Sequence, residues 1–175
     1  PRNPDKPSQG EAGTETRCCG RYLGGFEGRI NVEGPAGLPL IKPPYGRITA
    51  IDMNTGDHRW MVPNGDGPRD HPAIKDLNLP PLGHAGQGML LATKTLLFAS
   101  EGDPIMVLTP LGVGPNAGRK FRAFDKTSGA VLWETEFPGG ANGTAMTYMQ
   151  NGKQYIVLPI GSRTHPGELV ALSLP

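Results

Sequence analysis

The chain has 175 residues, 37% of them hydrophobic, with 26 glycines and 19 prolines. That hydrophobic content is low but adequate for a core, and glycine plus proline at about a quarter of the chain, without a short period, means many turns and not collagen. Seventeen Lys and Arg face 16 Asp and Glu, and no basic stripe is present to neutralise a run of phosphates, which excludes nucleic acid as a partner.

The opening, "PRNPDKPSQGEAGTET", has neither the basic start and apolar run of a signal peptide nor an initiator Met. The chain therefore reads as the end part of something longer. Residues 1–33 show neither helical nor strand periodicity and are expected to be an irregular linker or unmatched segment. Cys18 and Cys19 are adjacent, which fits either a vicinal disulfide or two free thiols in a loop, and gives no compartment.

From Tyr45 the pattern changes. "RITAID" alternates apolar and polar residues, "MNTGD" supplies a glycine-containing turn and "HRWMV" resumes the alternation, the signature of a β-hairpin. Farther on, "KFRAFD", "KTSGA" and "VLWETEF" repeat it. In both copies Asp opens the turn, Thr or Ser caps it, and Gly56 or Gly129 takes a left-handed backbone. Trp60 and Trp133 then stand at the same offset, and both rings are expected to be buried as wedges between neighbouring sheets.

A second hairpin type alternates with the first. "GMLLATKTLLFAS" is two apolar runs around a turn, and "GTAMTYMQNGKQYIVLPIG" is two around Asn-Gly, a favoured tight turn. The apolar runs are broken by Lys or Thr and are too short to span a bilayer. The closing "LVALSLP" matches the start of the Ala-x-Asp unit once more. Four strands per cycle, joined by short turns within each pair, predict an all-β chain: part of a β-propeller, with the last strand pair of one blade, one complete blade and three strands of another.

The spare sequence falls into alternate connections, at residues 62–86, 100–120, 138–143 and 161–167, which a meander places on one rim. Binding groups are usually carried on such loops. They hold Asp66, Arg69, Asp70, His71, His84, Glu101, Asp103, Asn142, Arg163 and His165. The glycines of "GVGPNAG" have the wrong spacing for a dinucleotide fingerprint, "DMNTGD" lacks the EF-hand ligand order, and no His pair has metal-ligand spacing.

The segments "PYGRITAIDMNTGDHRW", "GGANGTAMTYMQNGKQYIVLPIG" and "ELVALSLP" resemble the carboxyl-terminal blades of the pyrroloquinoline quinone (PQQ)-dependent dehydrogenases, particularly the glucose dehydrogenase-like quinoproteins. The resemblance covers residues 34–175 and rests on the repeat Ala-x-Asp-x-x-Thr-Gly-x-x-x-Trp, present twice, with Ser128 and Gly129 matching the Thr-Gly in the second copy. It implies an eight-bladed propeller that holds PQQ and Ca²⁺ on its axis, oxidises a sugar or alcohol, and passes electrons to ubiquinone or a cytochrome in the periplasm. Attachment to the inner membrane would come through an absent amino-terminal region.

The resemblance also implies that the Ca²⁺ ligands and the catalytic base lie mostly upstream, so that this segment alone is inactive and its partners are the remaining blades. By the same resemblance, cofactor contacts fall on Asn142, Gly143, Thr144, Gly161, Arg163, Thr164 and His165, with Glu101 and Asp103 near the quinone. PQQ carries three carboxylates, so Arg163 either pairs with one of them or is an exposed rim arginine. His165 is either a donor to the cofactor or a loop residue. Ala145 stands where the family often has Pro, and no covering role passes to Cys18 and Cys19, since the family's cysteine pair belongs to a different region. A non-catalytic propeller scaffold of the outer-membrane assembly type uses the same repeat and is the alternative.

Overall fold

The computed structural model describes residues 34–84, 86, 88–102, 118–141, 143–162 and 165–174. Residues 1–33 and 103–117 lie outside that set. The described chain is built almost wholly of antiparallel strands, with single 3-10 turns at Pro35–Gly37 and Lys75–Leu77.

Strands β1 (Arg47–Ile51) and β2 (His58–Pro63) form the first sheet. The second is a four-stranded meander of β3 (Leu90–Ala92), β4 (Leu96–Ser100), β5 (Lys120–Asp125) and β6 (Val131–Glu136). The third has β10 (Glu168–Ser173) beside β9 (Lys153–Gly161), whose other edge pairs with both β7 (Gly140–Ala141) and β8 (Met146–Gln150). This is the predicted division into two, four and three strands, with one difference. The inner strand of the third sheet is broken into β7 and β8, both held by β9.

The two Ala-x-Asp hairpins share their register as well as their letters. Ala50 lies opposite Trp60 and Ala123 opposite Trp133, and in each the ladder shifts by one at the next residue. The turns are built alike: Gly56 N donates to Asp52 O and Gly129 N to Asp125 O, while the Asp carboxylates accept amides of their own turns. Such side-chain acceptors satisfy donors that a tight turn leaves unpaired. They hold the Asp52 and Asp125 carboxyls below the usual range, first through the amides of Asn54 and Ser128 and then through Arg59 and the Ser128 hydroxyl.

Strand alternation sends side chains to two interfaces. Phe98, Phe121, Ala123, Phe137, Ala141, Ala145, Leu158 and Ile160 form the core between the second and third sheets. Phe98 stacks on Phe121 with centroids 5.9 Å apart. Ile48, Ala99 and Phe124, with Trp60, Val62 and Leu97 against them, join the first sheet to the second.

Trp60 is half-buried at this second interface, and its Nε1 donates to Lys126 O at 3.0 Å, in the turn of the adjacent hairpin. Trp133 departs from the expectation of burial, being 43% exposed. The ring of Trp60 is covered by the turn of the next sheet's third and fourth strands. Behind Trp133 the next sheet ends, among the described residues, at its third strand β10, so no such turn faces it.

Candidate cofactor-facing rim

The tight turns gather at one end of the strands and the long connections at the other, as the meander requires. On the long side, residues 64–66 run antiparallel to 82–84: His84 N donates to Asn64 O, Gly83 N to Gly65 O and Leu82 N to Asp66 O. Asn64 and His84 are buried there, and Asn64 Nδ2 donates to Ser100 O at 2.9 Å. The loop after the first sheet is thus pinned onto the end of β4.

Beside it lies a charge network that the sequence reading missed. Glu101 and Arg122 are 4% and 5% exposed, and Arg122 Nη1 donates to Glu101 Oε1 at 2.7 Å. Arg122 Nε also donates to Glu134 Oε2 at 2.5 Å. Lys120 Nζ bridges Glu134 at 2.9 Å and Asp66 at 3.0 Å, and Arg69 reaches Asp66. Three cations alternate with three carboxylates from both sheets. A buried pair of this kind is tolerated only when each charge is met by its opposite and by further hydrogen bonds.

Burial alone would push the Asp66 and Glu134 carboxyls up. For Asp66 the hydrogen bond and charge of Lys120, with Arg122 and Arg69, outweigh it; for Glu134 Lys120 and Arg122 do so, and both end below their usual range. Burial likewise works against charged Lys120 and Arg122, but Glu134 and Asp66 on the first, and Glu101 and Glu134 on the second, raise both above theirs.

Glu101 is placed by this network. Its Oε2 accepts Gly118 N at 3.1 Å and Lys120 N at 3.4 Å, and its own amide donates to Lys120 O. The carboxylate therefore closes the neck of the connection between β4 and β5. Asp103 lies outside the described residues, as do Asn142, Arg163 and Thr164.

The third sheet carries the other predicted residues. Gly143 is half-buried and Thr144 exposed in the break between β7 and β8, and Gly161 is buried at the end of β9. Gly139 packs so closely on Gly161 that a Cβ there would lie 2.9 Å from its Cα, which draws the ends of these two connections together. His165 sits in a short turn: Ser162 N donates to His165 O, His165 N to Ser162 Oγ at 3.0 Å, and Nε2 stands 2.9 Å from Glu168 Oε1.

A planar tricarboxylate needs donors on a narrow face and cations to meet its charge. Thr144 supplies an exposed hydroxyl on this rim, beside close-packed glycine backbone, and so fits the donor requirement, while the His165 imidazole has its Nε2 on Glu168. Arg69, Lys120 and Arg122 are each turned onto a carboxylate of the chain itself. A metal is a different matter. Among the described residues no three His, Cys, Asp or Glu side chains come together to hold one.

Comparison with known proteins gives a consistent answer. A protein-family model described as "Glucose/ethanol/alcohol dehydrogenase, beta-propeller domain" (PQQ) matches residues 14–156, starting ahead of Gly34. The chain is 33% identical to the quinate/shikimate dehydrogenase (quinone) of Acinetobacter baylyi over 79% of its own length and 16% of that protein. It is 32% identical to quinoprotein glucose dehydrogenase A of Acinetobacter calcoaceticus over 81% of its length and 17% of that protein. Its whole length aligns at 28% identity with 22% of the quinoprotein glucose dehydrogenase of Escherichia coli. The chain thus spans about a sixth to a fifth of the length of these curated relatives. It belongs to the PQQ-dependent glucose/ethanol/alcohol dehydrogenase family, as part of that family's β-propeller, with PQQ as the family cofactor.

Proposed function

We propose that this chain forms part of the cofactor-facing propeller of a PQQ-dependent dehydrogenase that oxidises a sugar, polyol or related alcohol and passes the electrons to a quinone or a cytochrome. The observation that carries the reading is the family match over residues 14–156, joined to a rim on which the chain's long connections collect. Relatives named for quinate or shikimate and for glucose favour a hydroxylated ring as substrate, and the name "(quinone)" favours a quinone acceptor. The match to dehydrogenases favours an enzyme over a scaffold.

When bound, PQQ supplies a two-electron acceptor for conversion of the alcohol carbon to a carbonyl. The chain's part is to hold that cofactor. In this reading Gly143, Thr144 and Gly161 lie along it, His165 donates to a carboxylate, and Asn142, Arg163 and Thr164 complete the contact, Arg163 with the charge that the described cations do not offer. Glu101 acts from behind by fixing the neck that leads to Asp103. Ca²⁺ and the catalytic base come from other blades, so these blades alone do not turn over. A periplasmic site with attachment to the inner membrane through a region outside this chain accords with the acceptor; among the described residues no helix is long and apolar enough to cross a membrane.

The test is oxidation of glucose, quinate and glycerol by the full-length protein containing this chain, measured with an artificial electron acceptor before and after addition of PQQ with Ca²⁺. The reading expects turnover of at least one only after addition. No PQQ-dependent turnover in a protein shown to be folded contradicts it.

A further inference from the structure

His165 is held at three points. Its amide donates to Ser162 Oγ at 3.0 Å, its carbonyl accepts from Ser162 N at 2.9 Å, and its ring Nε2 stands 2.9 Å from Glu168 Oε1. Glu168 is anchored in turn as the first residue of β10, opposite Ile160 of β9. An ionised carboxylate only accepts hydrogen bonds, so this contact places a proton on Nε2. The neutral ring then has a lone pair at Nδ1, and that nitrogen gains a hydrogen to donate only when the ring is protonated. The His165 side chain is 24% exposed, so the ring is not sealed behind its partner. Gly161 and Ile160 of β9, and Gly140 and Ala141 paired with them in β7, carry no charge. Glu168 is therefore the charged side chain at ion-pair distance from the ring among the described residues.

Building on the reading that this rim holds PQQ, we infer that Glu168 is a positioning residue that lets His165 donate to a cofactor carboxylate only as the imidazolium. By taking Nε2–H, Glu168 leaves the neutral ring with a lone pair at Nδ1, which repels a carboxylate oxygen, and its own negative charge then stands unbalanced beside a tricarboxylate. Protonation reverses both effects: Nδ1 becomes a charged donor and the imidazolium cancels the Glu168 charge. Cofactor affinity at this rim is therefore coupled to the His165 proton, and it rises as pH falls through the range in which histidine gains its charge. Arg163 does not produce such a dependence, because a guanidinium keeps its proton throughout.

The experiment measures PQQ dissociation constants by absorbance for the full-length protein containing this chain, at about pH 6 and about pH 8.5, a span that brackets the histidine range, with ionic strength and Ca²⁺ held constant. The parent is compared with Glu168→Gln and His165→Gln. The parent is expected to bind at least about fivefold more weakly at the higher pH, the scale on which a charge-assisted donor is lost. Glu168→Gln offers either an oxygen or an amide hydrogen to Nε2, so the neutral ring can carry its hydrogen on Nδ1. This variant is expected to lose most of the pH dependence and to bind PQQ more tightly than the parent at pH 8.5, which a merely structural Glu168 does not give. His165→Gln is expected to lose the dependence as well. A parent whose affinity is the same at both values, a dependence that survives in His165→Gln, or a Glu168→Gln variant weakened equally at both values overturns the inference while leaving PQQ binding by this rim in place. Absence of PQQ binding by the folded parent at either pH overturns both.

Discussion

The indole of Trp60 lies flat against the backbone of Gly129, sixty-nine positions away in sequence, and donates to Lys126 O in the same turn. That contact ties the first sheet to the second at the tight-turn end, while Asp66 and Lys120 tie them at the other. Gly56 occupies the same place in the other hairpin with a similar left-handed backbone, φ 80° against 75°, but a Cβ there would meet nothing within 4 Å. Alanine at either position carries the left-handed penalty of about 1–2 kcal/mol. Only Gly129→Ala adds the clash with the indole, on the order of 1–3 kcal/mol as overpacking gives. Thermal unfolding of the two variants is expected to show Gly129→Ala the less stable; equal losses would mean that the docking contact is absent.

Removal of the tryptophans is expected to be unequal for the same reason. Trp60→Ala deletes a ring packed on Ile48, Ala99 and Phe124, and its cost should approach the roughly 3–5 kcal/mol of a core aromatic deletion. Trp133→Ala removes a ring that is 43% exposed, and the loss should stay below about 1 kcal/mol, near the range of surface changes. Denaturant melts of both variants provide the check.

Sequence and structure agree where local chemistry decides. The Asp-x-x-Thr-Gly and Asp-x-x-Ser-Gly turns, the hairpin boundaries and the equivalence of Ala50 with Ala123 follow from turn residues and alternation, which act within a few positions. The break between β7 and β8 was not legible, because it is a change of register against β9 between Ala141 and Met146 that no local pattern marks. Nor was the exposure of Trp133, since a wedge is buried only if its neighbour supplies a cover. Arg122 carries a signal of its own: a cation between Phe121 and Phe124 in a buried strand must find carboxylates, and Glu134 stands directly opposite it in β6 while Glu101 follows the end of β4. At the rim, Glu101 is placed by Arg122 and the Gly118 and Lys120 amides, and His165 by Ser162 and Glu168, contacts between segments that no local pattern marks.

The Arg122–Glu101 pair should behave as a buried ion pair. Arg122→Met leaves the Glu101 carboxylate buried without its cation and is expected to cost about 3–5 kcal/mol. Adding Glu101→Gln to it should restore part of the loss, since the uncompensated charge is gone. A double-mutant cycle from denaturant unfolding reads the coupling, and strict additivity would show that the two side chains do not interact.

Acid should weaken the same network. Asp66 and Glu134 titrate below their unfolded values in the folded chain, so their contribution is fully present above the unfolded carboxyl range near about pH 4 and is lost as pH falls through the lower folded values. Unfolding midpoints measured from neutral pH downward are expected to drop through this window. Asp66→Asn and Glu134→Gln should flatten that drop while lowering stability at neutral pH.

The most direct measurement is PQQ titration of the full-length protein that contains this chain, comparing the parent with Arg163→Ala, His165→Ala and Thr144→Ala and reading cofactor binding by its absorbance together with recovered activity. If the connections at 138–144 and 161–167 face the cofactor, Arg163→Ala should weaken PQQ binding at least about tenfold, as loss of a charge-assisted contact does, with smaller losses for His165→Ala and Thr144→Ala. Unchanged affinity and activity in all three would contradict the account and place these connections on a solvated rim away from the cofactor.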